Sequence, residues 1–357
     1  MAQTTHSSTW GGNTSSSWND SSNWSTLNYP NNTNNDKYNV YINGGTHNPL
    51  LNLSIHLNSL QNNAIMDMSN GTITFDTSAG FNNQGTLNAT TVNNYTYTSS
   101  IVGNLNNDGT INMLTNATYD SVGNFNYNGT AITGSGNINI NDGTTFTLSQ
   151  NTDIHSNAIS ISGGKLIANN GYTGGTLTGY GQLQGNLGGP ITVTGGTMEF
   201  TTNSTLTSAA SMNVESGSTL DLSNRTTNNE GIIVIKNGAQ TIFKNSALNN
   251  NSGGTFTINS GAIANVNPDV SYSRNSTIND GLINNGTINL NRNSSNGTVG
   301  NLTYNGANLQ GSGTINVVQD TTFTLSQDTN INSNTIHISN GNFLAINGYT
   351  GGHLSGY

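Results

Sequence analysis

Residues 109–180 return at 286–357, at an offset of 177 and without a gap. Of the 72 aligned positions 41 are identical, including TTFTLSQ at 144–150 and 321–327 and GYTGG at 171–175 and 348–352. Upstream the match weakens, although FNNQGT at 81–86 still resembles NNSGGT at 250–255. A chain that repeats itself in this way is built from similar units that stack, because one unit alone cannot bury its apolar face.

A finer motif runs inside each copy: NGTITF at 70–75, NQGTLN at 83–88, NDGTIN at 107–112, SGNINI at 135–140, GGTFTIN at 253–259 and NNGTIN at 284–289. Each joins an Asn/Gly turn, where positive φ is tolerated, to a strand alternating Ile, Leu or Phe with Thr or Asn. Alternation puts apolar side chains on one face and polar ones on the other. AISIS at 158–162, PITVT at 190–194, STLDLS at 218–223 and GIIVIK at 231–236 read likewise. No segment shows the i, i+3, i+4 apolar rows of a helix. A hairpin sandwich also uses Asn-Gly turns, but the similar strand-turn units recur about every 20–24 residues, which suits one coil of a solenoid. The expected fold is all-β, a right-handed parallel β-helix (β-solenoid) with an N-terminal cap. About 14 or 15 coils at ~4.8 Å each would give a rod of roughly 70 Å.

Composition agrees with a thin core. Hydrophobic residues make up 31% of the chain and charged residues 6%, with 44 Gly and 4 Pro. Disordered chains usually carry high charge or much proline, and this one has neither. Stacked Asn and Thr side chains can instead bond along the rod in ladders, while stacked like charges would repel at every coil. The net charge of −9 and only seven Lys and Arg give no basic footprint, so nucleic acid is not an expected partner. No apolar run approaches the ~20 residues of a membrane span. With no cysteine, disulfides and Cys metal sites are excluded.

Three segments are expected: a Trp-rich opening at 1–50, a first repeat unit at 51–180 and a second at 181–357. All three tryptophans, Trp10, Trp18 and Trp24, lie in the opening. The first coil of a solenoid exposes core and strand edge, so these rings are expected to cap it. The rival expectation is a glycan-contact platform. The second copy stops where the first runs on into GQLQGNLGGPITVTGGTMEF. Either the chain is a piece of a longer array, the preferred expectation, or another chain covers that end. In the second case copies would add end to end into filaments.

The WNDSSNWS opening, the N-x-G-T-I turns and LTGYGQLQGNL followed by GGTMEF resemble the passenger regions of bacterial autotransporters and related repeat-rich β-helical surface proteins and adhesins of Gram-negative bacteria. The resemblance implies an extracellular or cell-surface stalk, adhesin or biofilm component, with glycans or matrix polymers as partners.

Chemistry is sparse. Three Glu (Glu199, Glu215, Glu230) and thirteen scattered Asp offer no D-x-D pair, although stacking can bring together distant Asp such as Asp108 and Asp142. Asp in NDG turns has backbone reasons to be there. No cofactor is expected, with calcium the one ion such Asp residues would suit. The six His are dispersed, and His155 and His337 meet Asn332 and Ser160 in the other copy, as surface residues do. Tyr172, Tyr180, Tyr349 and Tyr357 recur between copies, which predicts either stacking along the rod or a repeated contact strip. The expected function is therefore non-enzymatic: a structural fibre, stalk or adhesin. A polysaccharide lyase or glycosidase is the alternative, since β-helices host both and need only a few grouped carboxylates. Thr-x-Thr elements such as 145–147 and 322–324 raise ice binding as a lower alternative.

Overall fold

The computed structural model describes residues 3–251 and 253–357, in two compact units, Met1–Leu177 and Thr178–Tyr357. In each unit short strands pair in parallel with the strands of the next coil, which makes a β-solenoid. The expected strands are present, for example at Thr86–Ala89, Thr110–Met113, Asn137–Asn141 and Thr287–Leu290. Among the described residues the one helical element is a 3-10 turn at Ser21–Asn23.

Parallel pairing in register turns strand alternation into columns, which bulges interrupt between Leu57 and Ser59 and at Asn141. Met66, Leu87, Ile111, Ile138 and Ile159 stack on one another and are all buried. Full burial of each such side chain is worth about 1.5–3 kcal/mol, and beyond its own coil each packs on the coils above and below. The columns conserve volume more closely than identity. Phe125, Phe146 and Leu166 stack in the first unit, and Leu302, Phe323 and Phe343 occupy the matching rungs of the second. The Phe pair has moved by one coil, yet each stacks at 5.9 Å between ring centroids.

The recurrent Gly-Thr has a different cause from the one the sequence implies. Gly109 does not have positive φ; instead, a Cβ there would lie 2.1 Å from the carbonyl oxygen of Gly85 one coil earlier. At Gly254 it would lie 2.0 Å from Asn229 O. Close approach of successive turns, rather than backbone conformation, requires glycine at these places. Positive φ falls on Asn70, and on His155 and Asn332, which occupy the same repeat position at φ 47 and 49. That shared left-handed conformation explains why His and Asn interchange there.

Coil length departs from the expected 20–24 residues where the chain leaves the stack. Asn228 to Asn249 is a step of 21, whereas Asn249 to Asn279 is a step of 30. Each unit has two consecutive excursions of this kind. The second is closed by antiparallel pairing, at Thr115–Asn116 with Ser121–Val122 in one unit and at Arg292 with Val299 in the other.

Candidate functional site

The opening tryptophans form one packed group. Trp18 and Trp10 meet the ring of Trp24 edge-on at 4.6 Å and 4.9 Å. Each indole N–H donates to a backbone carbonyl: Trp10 to His47, Trp18 to Pro30, Trp24 to Trp18. None is more than 2% exposed. A sugar needs an accessible ring face, so the glycan-platform reading of these three residues does not hold; packing accounts for them. The segment that wraps them is held by Asn23 and Asp20. The buried Asn23 amide bonds Thr14, Ser15 and Ser17. Hydroxyls of Ser22, Thr14 and Ser15 donate to the Asp20 carboxylate and hold its pKa down to about 2.

The four repeated tyrosines do not form one strip. Tyr172 is buried in its unit with no hydrogen-bond partner for its hydroxyl, and burial pushes its pKa up. Its repeat counterpart Tyr349 is 37% exposed and lies edge-on to Phe343. Tyr180 and Tyr357 are exposed. A strip read by a ligand needs every ring at the surface, and Tyr172 presents none.

The Asp pair does not form either. Asp108 accepts from the Ser135 N–H of the next coil, whereas Asp142 lies against Gly163, in a different column. Among the described residues no group of three or more His, Cys, Asp or Glu side chains could hold a metal ion. The Thr-x-Thr elements do not tile a face. Thr147 has Asn126 below it and Ile167 above, and Thr324 has Thr303 below and Leu344 above.

What does recur is amide. A buried ladder runs through Asn62, Asn83, Asn107 and Asn157, each Nδ2 donating to the next Oδ1 at 2.8, 2.8 and 2.9 Å. Outward-facing ladders run on the strand faces. Asn139 donates to Asn112, Asn112 to Asn88 and Asn88 to the carboxylate of Asp67, at 2.8, 3.0 and 2.8 Å. All amide dipoles then point one way, with an anion at the N–H end. In the second unit Asn316, Asn289 and Asn265 continue the pattern down to Gln240. Each rung uses one N–H and one lone pair in the ladder, and a carboxamide has a second of each to offer solvent.

A charged group and the excursions were not legible from sequence motifs. Asp76 accepts from Lys37 at 3.0 Å, Asn32 at 2.8 Å and His56 at 3.2 Å. Burial raises its pKa, but these hydrogen bonds outweigh it and leave the pKa lowered. His6, stacked on Tyr38, pairs with Asp36 at 2.9 Å. The excursions carry exposed rings, Tyr95 and Tyr119 in one unit and Tyr272 in the other. Tyr95 and Tyr272 stand 177 apart, which extends the repeat offset upstream and is the signal that would have found them.

No family model, curated protein or solved structure matches the chain, so the autotransporter-passenger resemblance rests on its motifs alone.

Proposed function

We propose that the chain is a secreted, non-enzymatic β-helical surface protein of the bacterial cell exterior, serving as stalk or adhesin. In this reading the helix is right-handed and the tryptophan-bearing opening caps it. The outward amide ladders carry the proposal. Rungs about 4.8 Å apart offer the same donor and acceptor again and again, as at Asn88, Asn112 and Asn139. Each contact to a glycan hydroxyl is weak, and many in line add up through effective concentration. The ladders also use up the conformational freedom of the side chains before a ligand arrives, which lowers the entropy lost on binding.

The test passes the full chain over immobilised neutral and acidic polysaccharides and measures both retention and released product. Retention without soluble fragments or new chain ends is expected. Release that continues over many turnovers would instead establish a depolymerase.

A further inference from the structure

We propose that the first excursion of unit Met1–Leu177 is a binding site for one uncharged pyranose ring, formed by Tyr95 and the cavity beside it. The inference rests on the adhesin reading above and gives it a definite place. A cavity of about 220 Å³ is lined by Asn52, Ser69, Asn70, Val92, Asn93 and Tyr97. It falls below the range of about 300–1,000 Å³ that takes drug-sized ligands, and suits a single sugar ring.

Three observations point to a ligand. Ser69 is 2% exposed and its hydroxyl has no hydrogen-bond partner. Buried polar groups are rarely left so, and this one belongs to a cavity wall. Tyr95 is 63% exposed and Val92 56%, beside Tyr97, whose ring centroid is 6.4 Å from that of Tyr95. Finally, the loop that presents them is held by its own bonds. Thr91 Oγ1 donates to the Asn93 and Tyr95 carbonyls, and the Asn93 side chain accepts from the Tyr95 N–H and donates to the Tyr97 hydroxyl. The second excursion braces the first, with Ser121 Oγ donating to Asn93 O at 2.7 Å. A loop fixed in this way exposes its aromatic side chains at little further entropic cost on binding.

A pyranose has one face of C–H groups and a rim of hydroxyls. Val92 and Tyr97 in the cavity wall, with Tyr95 beside Tyr97, match the face; the amides of Asn52 and Asn70 match the rim, and the enclosed Ser69 hydroxyl reaches it by rotation about its Cα–Cβ bond. The six lining residues carry no charge, which selects a neutral sugar over an acidic one.

The second unit holds an internal control. At the position of Tyr97 it has Arg274, whose guanidinium lies 5.6 Å over the Tyr272 ring and 3.1 Å from Asp269. Tyr272 already has a cation on one face, so this excursion is not an equivalent site.

The experiment titrates the full chain with methyl glycosides of glucose, galactose, mannose and N-acetylglucosamine, and with the glucuronide as the acidic comparison. At least one neutral glycoside is expected to bind. Tyr95→Ala and Ser69→Ala should each weaken that binding by about tenfold, and Tyr272→Ala by less than about twofold. Ser69→Ala strands no partner, so its thermal midpoint should equal or exceed that of the parent, which separates lost contact from lost fold. No binding of any neutral glycoside, binding of the glucuronide alone, or unchanged affinity in Tyr95→Ala would each overturn the site. The polysaccharide columns then tell the two readings apart. Equal retention of parent and Tyr95→Ala removes this site and leaves the adhesin reading standing, whereas retention of neither on any polymer removes both.

Discussion

Asn107 and Asn284 occupy the same repeat position, are both fully buried, and yet differ in what they hold. Asn107 donates to Asn157 at 2.9 Å and accepts from Asn83 at 2.8 Å. Asn284 donates to Asn334 at 3.1 Å, but its Oδ1 has no partner. The cause lies one coil earlier, where Asn83 pairs with Asn107 in the sheet and Ile258 pairs with Asn284. The second unit has an apolar side chain where the ladder needs a donor. Replacing Asn107 with Ala strands two buried groups, the Asn157 Oδ1 and one N–H of Asn83. Each stranded group costs about 1–3 kcal/mol, so the substitution should cost about 2–6 kcal/mol. Replacing Asn284 strands the Asn334 Oδ1 but removes an acceptor that was already unpaired. Those terms nearly offset, leaving about 0–2 kcal/mol. Cavity, propensity and entropy changes are alike at the two sites and cancel in the comparison. Because solenoid coils open locally, the cost should be read as native-state hydrogen exchange of the coils around each substitution. Equal costs, or a greater cost at Asn284, would refute the idea that the ladder stabilises through satisfied amides.

Gly109→Ala should destabilise by about 1–3 kcal/mol in urea unfolding, since the new Cβ meets Gly85 O at 2.1 Å with no positive φ involved; a neutral outcome would mean that the coils do not approach so closely. The Asp20 pKa is lowered from 3.8 to about 2, so the stability that its ionised form gives the opening segment is present above pH 3.8 and lost as pH falls through about 2. Tryptophan fluorescence should show that acid step, and Asp20→Asn should abolish it; an unchanged step would assign it elsewhere. Tyr172→Phe removes a buried hydroxyl without a partner and should stabilise by about 1 kcal/mol, whereas Tyr127→Phe loses the bond to Ala131 O and should cost about 1 kcal/mol. Burial raises the Tyr127 pKa from 10.0 to about 12, so its neutral form contributes fully below pH 10 and that contribution is lost as pH rises through about 12. Thermal melts of the Tyr127→Phe protein across that range should show a correspondingly shallower alkaline decline than the parent.

The solenoid itself was legible because its cause is local and periodic. An alternating strand such as TINM at 110–113 has to bury Ile111 and Met113 on one side, and a chain that repeats such strands can do so only by stacking them. The recurrent Asn likewise foretold ladders, since an amide is both donor and acceptor and in-register stacking aligns the two. The candidate site was less legible. Three tryptophans in one segment look the same in sequence whether their faces are packed or open, and only the positions of His47, Pro30 and Trp18 carbonyls decided it. Identical residues also met different neighbours: Tyr172 is enclosed while Tyr349 is exposed, and Asn107 is satisfied while Asn284 is not.

Sequence alone therefore determined the secondary structure, the stacking and the polar ladders, each of which follows from the order of residues along one strand and its repeat. Tertiary structure alone decided which hydroxyls lack a partner, which rings reach solvent and where two turns come too close for a Cβ. Most of those properties belong to pairs of residues a coil or more apart, 21 positions between Asn228 and Asn249, 30 between Asn249 and Asn279 and 50 between Asn107 and Asn157. Their contact depends on the exact length of every excursion between them, which a local pattern does not encode.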